Sequence, residues 1–239
     1  MALKQNYLVY RDGDVFRVVG QVDGKQLAVA EDASRAIQTA VDSLTSGGRV
    51  ILSNDTFPIG EPIRLGDRVE LCGSGKATVL EVSSRNESVG VICQGAKGVT
   101  IADLTVRSER PCGALAGIVL DGCGDCHVRA VLCQGFAGYG IWVRNASFLC
   151  SISQCSAADN GKANIYFDEL ACNSAAGDFV PNVVANCITY GGGTGIACNN
   201  TIVLNILGCA VFQPENHAYH LFNTSNSVLI SGCRSFQVG

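Results

Sequence analysis

A six-residue phrase recurs along the chain and restricts what it can fold into. GVICQG (90–95), GIVLDG (117–122), GIWVRN (140–145), NIYFDE (164–169) and GIACNN (195–200) lie under one another, and HLFN (220–223) follows more loosely. The second position is apolar in the first five: Val91, Ile118, Ile141, Ile165 and Ile196, with His220 in the last. The fourth is apolar throughout: Cys93, Leu120, Val143, Phe167, Cys198 and Phe222. Steps along that fourth column are 27, 23, 24, 31 and 24 residues. Apolar residues alternating inside each phrase mark a strand with one buried face. A strand returning every two to three dozen residues predicts a solenoid whose coils stack to bury a shared core. The composition suits many short strands joined by turns: 47% of residues are hydrophobic, only 16% are charged, and 28 are glycine.

A second column supports this register. Leu104, Cys133, Cys155, Cys187, Cys209 and Cys233 each follow an apolar residue three positions earlier: Ile101, Ala130, Ile152, Val184, Ile206 and Ile230. Five of the 13 cysteines thus fall at one repeated place. They read as an inward ladder of small, reduced side chains at a corner of each coil. Neighbouring rungs stand about 4.8 Å apart, so oxidation of a pair stays open. Stacked identical positions do not converge tetrahedrally, so no metal is expected there.

Ahead of the solenoid, residues 1–30 form a hairpin segment. NYLVYRDGDVFRVVG alternates around Asp12-Gly13, and a second Asp-Gly follows at Asp23-Gly24. EDASRAIQTAVDSLTSGG then predicts an amphipathic helix over 32–46. Asp32 is its N-cap, Ile37, Ala40, Val41 and Leu44 lie on one face, and Gly47-Gly48 ends it.

The helix D-x-S-x-A-I-Q-x-A-V-D, then GG-R-V-I-L, a loop, IRLGDRVELCGSG and T-V-L resemble the opening of pectate-lyase-like right-handed parallel β-helix proteins. The resemblance covers roughly residues 31–239. It implies an all-β fold, a right-handed parallel β-helix closed at its N-terminal end by a short helix. It implies little about activity, because such helices host polysaccharide lyases, hydrolases, epimerases, phage tailspikes and non-catalytic adhesins. The lyases use several calcium-binding acids and a basic residue on one strand face. Here only Asp121 and Asp168 stand in matching positions, without a third acid. The acid-pair signature of polygalacturonase-type hydrolases is also missing.

With positions two and four turned inward, positions three and five face solvent. Position three holds Ile92, Val119, Trp142, Tyr166, Ala197 and Leu221. Position five holds Gln94, Asp121, Arg144, Asp168, Asn199 and Asn223. The only tryptophan therefore stands beside a tyrosine, next to Asp–Arg–Asp on the same three coils. Aromatic rings flanked by carboxylates, a guanidinium and amides suit a sugar chain, with Trp142, Tyr166, Gln94 and Asn199 as contacts. Asp121 and Asp168, two rungs or about 9.6 Å apart, approach the carboxylate separation of an inverting glycosidase. Arg144 between them would clamp substrate or handle a proton. The same column also reads as an exposed ion ladder of small energetic value.

Other signals are weaker. Cys123, Cys126 and His127 spell the C-x-x-C-H of c-type haem attachment. They fall, however, in a turn only a residue or two longer than its sisters, too short to enclose a porphyrin. Glu215, His217 and His220 lie where a turn runs into a strand, a poor place for a metal. No P-loop, dinucleotide fingerprint or Ser-His-Asp arrangement appears, so no cofactor is expected. A net charge of −4 without a basic block argues against nucleic acid as a partner. No apolar run reaches about 18 residues, which argues against a membrane helix. MALKQNYLVYRDGD lacks a signal-peptide core. As written, the sequence implies a cytoplasmic protein, or one reaching a virion or the cell exterior by a signal-independent route.

Together these features give a carbohydrate-recognising or carbohydrate-processing domain of tailspike or polysaccharide-enzyme type. Any catalysis, as a polysaccharide lyase or glycoside hydrolase, would rest on Asp121, Arg144 and Asp168. The alternative is a non-catalytic surface or virion component. The last coil carries no recognisable cap, so either self-association into a homo-oligomer at that end or a chain cut from a longer protein is expected.

Overall fold

A computed structural model of the chain describes residues 5–83, 88–111, 113–168, 181–200, 203–223 and 228–237. The repeated phrase is a strand of a right-handed parallel β-helix. Three sheets run the length of the solenoid, one per side, and every coil gives one short strand to each. Coil one supplies Gly48–Leu52, Thr56–Ile59 and Ile63–Leu65; coil four supplies His127–Arg129, Leu132–Gln134 and Tyr139–Arg144. Seven coils contribute to the third sheet, ending with His217–Phe222. Val228–Ser231 and Arg234–Phe236 then add one further strand to the first and second sheets.

The N-terminal segment joins this frame. Strand β1 (Gln5–Asp12) pairs antiparallel with β2 (Val15–Gly20), and β2 with β3 (Gln26–Ala30). The first hairpin turns at Gly13 in the left-handed region. The far edge of β1 pairs in parallel with Gly48–Leu52, so the hairpin extends the first sheet. Helix α1 spans Ala33–Asp42, and the Asp32 carboxylate accepts a hydrogen bond from the Arg35 amide. It ends at Asp42, earlier than Gly47-Gly48 suggested, with Ser43 closing the last turn. Ile37, Ala40, Val41 and Leu44 are all buried, as the helical period requires. The helix packs against the hairpin and the strands of coil one, closing the N-terminal end of the core.

One apolar core fills the interior, built from the alternate residues of all three sheets. The first position of each phrase points into it as well. A side chain at Gly117 would meet the Phe136 ring at 2.8 Å, and one at Gly90 would meet Val82 and Val106 at 2.8 Å. Two successive inward residues thus mark the corner between the second and third sheets. Coil five places Asn164 at this position and meets the polar burden with amides. Asn160 Nδ2 donates to Asn164 Oδ1 at 2.7 Å, and Asn160 Oδ1 accepts from the buried Phe136 amide at 3.1 Å.

Three register assignments differ from the sequence reading. Val131, not Cys133, sits above Leu104 and below Cys155, because Leu132 donates to the Leu104 carbonyl and Ser156 to that of Val131. Cys133 lies two residues further on, in the second sheet between Val106 and Ala157. Ala130 is a left-handed turn residue (φ 51°), and Val128 takes its supposed inward place beside Ile101 and Ile152. In coil seven, Tyr219 pairs with Ile196 and Leu221 with Cys198. His220 and Phe222 therefore belong to the outward set, and Tyr219 and Leu221 to the inward one. Phe222, rather than Asn223, stands opposite Asn199.

Candidate carbohydrate-binding face

The outward face of the third sheet gathers the residues singled out in sequence. Its fifth-position column runs Gln94, Asp121, Arg144, Asp168, Asn199, with Asp121 paired to both Gln94 and Arg144 and Asp168 to Asn199. Its third-position column sets Trp142 beside Tyr166. The corner described above adds a residue that the simple alternation missed. With Gly140 and Ile141 both turned inward, Tyr139 faces out and stacks on Tyr166, ring centroids 4.8 Å apart at 13°. Tyr139 also lies 4.6 Å from the Trp142 ring. The clue available in sequence was an aromatic residue directly ahead of the glycine that opens the phrase.

Cations and acids frame this cluster. The Arg144 guanidinium sits 4.4 Å over the Trp142 ring, and the Lys162 ammonium lies 5.6 Å from the Tyr139 ring. Arg144 Nη2 and Nε donate to Asp121 Oδ2 at 2.9 and 3.2 Å, while Asn145 Nδ2 donates to Asp121 Oδ1 at 2.6 Å. Both oxygens of Asp121 are therefore engaged, and the carboxylate fixes Arg144 over the indole. Asp168 Oδ1 accepts from Asn199 Nδ2 at 3.0 Å. Burial first, and then the Asp168 charge, raise the Tyr166 phenol well above its ordinary value. Tyr166 is only 8% exposed, packed against Ala163 and Ala197, so Tyr139 and Trp142 are the cluster's half-exposed rings. The Trp142 indole N–H is buried and has no hydrogen-bond partner among the described residues.

Gln94 stands apart from the cluster. Its Oε1 accepts from Arg64 Nη1 at 3.2 Å, and both residues line an open cleft of ≈ 450 Å³ with Gln38 and Asp42 of α1. This cleft lies on the same face, at coils one and two. At the other end His217 and His220 face out together, rings 4.6 Å apart, with His220 against Phe222. Cys123 and Cys126 are fully buried, with Sγ atoms directed at the carbonyls of Cys93 (3.3 Å) and Ala96 (3.5 Å). His127 Nδ1 is 2.8 Å from Ser151 Oγ. The C-x-x-C-H stretch is thus a packed turn whose two thiols belong to the buried core.

No family model matches the sequence, and no curated protein matches it. Solved structures match the fold. The mannuronan C-5 epimerase AlgE6 A-module of Azotobacter vinelandii aligns over 87% of this chain and 71% of its own, with 16% identity and a TM-score of 0.65. An alginate lyase from a Paenibacillus species aligns over 86% and 96%, at 12% identity and a TM-score of 0.57. The tailspike protein of E. coli bacteriophage HK620, solved with a pentasaccharide, aligns over 84% and 46%, at 13% identity and a TM-score of 0.54. The chain has the fold of the pectate-lyase-like right-handed parallel β-helix proteins.

Proposed function

We propose that the chain is a carbohydrate-binding β-helix domain whose contact surface is the outward face of the third sheet. One observation carries the reading: Tyr139, Trp142 and Tyr166 cluster on neighbouring rungs, bordered by Arg144, Asp121, Asp168, Asn199 and Lys162. Pyranose rings offer apolar C–H faces ringed by hydroxyls, so a site for them combines aromatic carbon with planar polar groups. The tailspike with its pentasaccharide, the mannuronan epimerase and the alginate lyase share the fold and support a glycan as partner.

In the catalytic form of this reading the three charged residues have unequal parts. Asp121 is held at both oxygens, so its role is to position Arg144 as a substrate clamp. Asp168, hydrogen-bonded to the neutral amide of Asn199, is the carboxylate placed to exchange a proton with substrate. A glycan array followed by calorimetry on the best binder tests the reading. Saturable binding that Trp142→Ala weakens at least tenfold is expected. New reducing ends, or the absorbance of unsaturated uronates, would add catalysis, and Asp168→Asn should then abolish turnover while leaving binding. Absence of binding to any polysaccharide class removes the proposal.

A second reading, assembly, has its own observation. On the second sheet's outward face, Ile188 and Tyr190 are each 51% exposed and Phe236 is 42% exposed, stacked 4.6 Å from Phe212. Residues 182–239 hold only Glu215 and Arg234 as charged side chains. Depletion of charge around exposed aromatics is the composition of an interface centre. Homo-oligomerisation through this face predicts a sedimentation mass that is a multiple of 25.0 kDa, lowered by Tyr190→Asp. A monomer at the highest soluble concentration contradicts it.

A further inference from the structure

Four cysteines occupy one place on successive rungs. Cys155, Cys187, Cys209 and Cys233 each precede strand residues that pair in register, Ser156 with Ile188, Ile188 with Ala210 and Ala210 with Arg234. Each follows a left-handed residue: Gln154, Asn186, Gly208 or Gly232. That turn aims the thiol at two backbone carbonyls. Cys187 Sγ lies 3.5 Å from the Ile152 oxygen and 3.4 Å from that of Ala185, and Cys233 Sγ lies 3.4 Å from Ile206 and 3.5 Å from Ser231. A thiol here is small enough for the corner and still offers a weak donor to carbonyls the turn leaves over.

The ladder is buried except at one end. Cys155, Cys187 and Cys209 are at most 1% exposed, whereas Cys233 is partly open to solvent. All four are free thiols. The Cys209 amide donates to Cys233 Sγ at 3.4 Å, so the outer sulfur already leans over the inner residue. Facing residues on neighbouring parallel strands stand about 4.8 Å apart, inside the Cα separation that a disulfide spans.

We propose that Cys209 and Cys233 form an oxidation-sensitive pair, closed to a disulfide by hydrogen peroxide, that staples the last strands to coil seven. The Cys233 sulfur attacks one peroxide oxygen, breaking the O–O bond and leaving a sulfenic acid and one water. The Cys209 sulfur then attacks that sulfenic sulfur, forming the S–S bond and expelling the oxygen as a second water. Two thiols lose two electrons and two protons, and one peroxide becomes two waters. The order follows from access: Cys233 meets the oxidant, and Cys209, whose thiol is raised by its bond with Cys187 and by burial, resolves it. The bond closes a loop across a 24-residue separation, removing freedom from the unfolded chain. Its effect is to hold strands that have a partner on one side only among the described residues.

The test uses the full chain, reduced, exposed to hydrogen peroxide and then capped with iodoacetamide. Peptide mapping should find Cys209 joined to Cys233 within one molecule, with a mass loss of about 2 Da for the two hydrogens removed. The thermal midpoint should rise on oxidation and return on reduction with dithiothreitol. Neither change should occur in Cys233→Ser or Cys209→Ser. Cys233 recovered as sulfinic acid, as an intermolecular disulfide or as an unmodified thiol overturns the proposal. So does a linked pair without the rise in midpoint. The wild-type peptide map decides even where a serine variant folds poorly.

Discussion

Coils one to four and the coils beyond them solve the same stacking problem with different chemistry. In the first group cross-rung ion pairs recur: Arg49 with Glu70 at 2.7 Å, Arg107 with Glu81 at 2.7 Å, Arg129 with Asp103 at 2.8 Å, and Arg144 with Asp121 at 2.9 Å. In the second group the cross-rung partners are amides and thiols: Asn199 with Asp168, Asn223 with Asn199, and the cysteine ladder from Cys155 to Cys233. Exposed ion pairs are individually weak and fade with salt. Uncharged amide and thiol contacts are not screened by salt, and where they are buried, as in the thiol ladder, they must be satisfied in place. The proposed glycan face lies at the seam, where the ion-pair chemistry of coils three and four meets the amide chemistry of coils five and six.

Salt should act on the ion pairs of the first region, and alkali on the buried thiols that both regions hold. The largest effect is expected from alkali. Burial raises the Cys133 thiol, and burial followed by the neighbouring cysteines raises that of Cys93. Burial also raises the Tyr166 and Tyr219 phenols. The unfolded chain gives up these protons first, so it binds fewer than the folded chain and stability falls as pH rises. The contribution is whole below about pH 9, where thiols ordinarily titrate. Above that pH each fully buried thiol costs about 1.4 kcal/mol per pH unit. Urea midpoints between pH 7.5 and 10.5 should drop steeply, and Cys133→Val should flatten the slope. A pH-independent midpoint would mean that the thiols are not held protonated.

Asn160→Leu comes next. It leaves the Phe136 amide and Asn164 without their partner inside the core. A loss of roughly 3 kcal/mol, or about 6–12 °C in midpoint, is expected by calorimetry. A change below about 1 kcal/mol would show that water replaces the amide. The smallest effect belongs to the ion pairs. Arg49→Gln should cost less than about 1 kcal/mol, and less again in high salt. A larger, salt-independent loss would erase the contrast between the two regions.

Much of this was legible in the sequence, and the residues show why. Ile118, Leu120, Ile141 and Val143 alternate cleanly after a glycine, which fixed both the strand and its inward side, and with it Asp121, Arg144 and Trp142 outward. Coil seven was misread by one residue because its phrase lacks the opening glycine. In HAYHLF, either Tyr219 and Leu221 or His220 and Phe222 can serve as the apolar set, and a one-residue slip exchanges the faces. Cys133 was misplaced for a similar reason, since Val131 and Cys133 are both apolar and two residues apart. Tyr139 was missed because a corner with two inward residues breaks the period of two. The burial of Tyr166 was hidden too, because it arises from the ring that Tyr139 lays over it.

The proposed glycan face carries the only tryptophan in the chain, so its emission reports on that surface alone. Titrating the protein with the oligosaccharide bound most tightly on an array, while following Trp142 fluorescence, is the most direct measurement. The account predicts a saturable change in Trp142 emission whose midpoint equals the dissociation constant from calorimetry. Glycan binding seen by calorimetry with Trp142 emission unmoved would place the site elsewhere on the molecule and contradict the account.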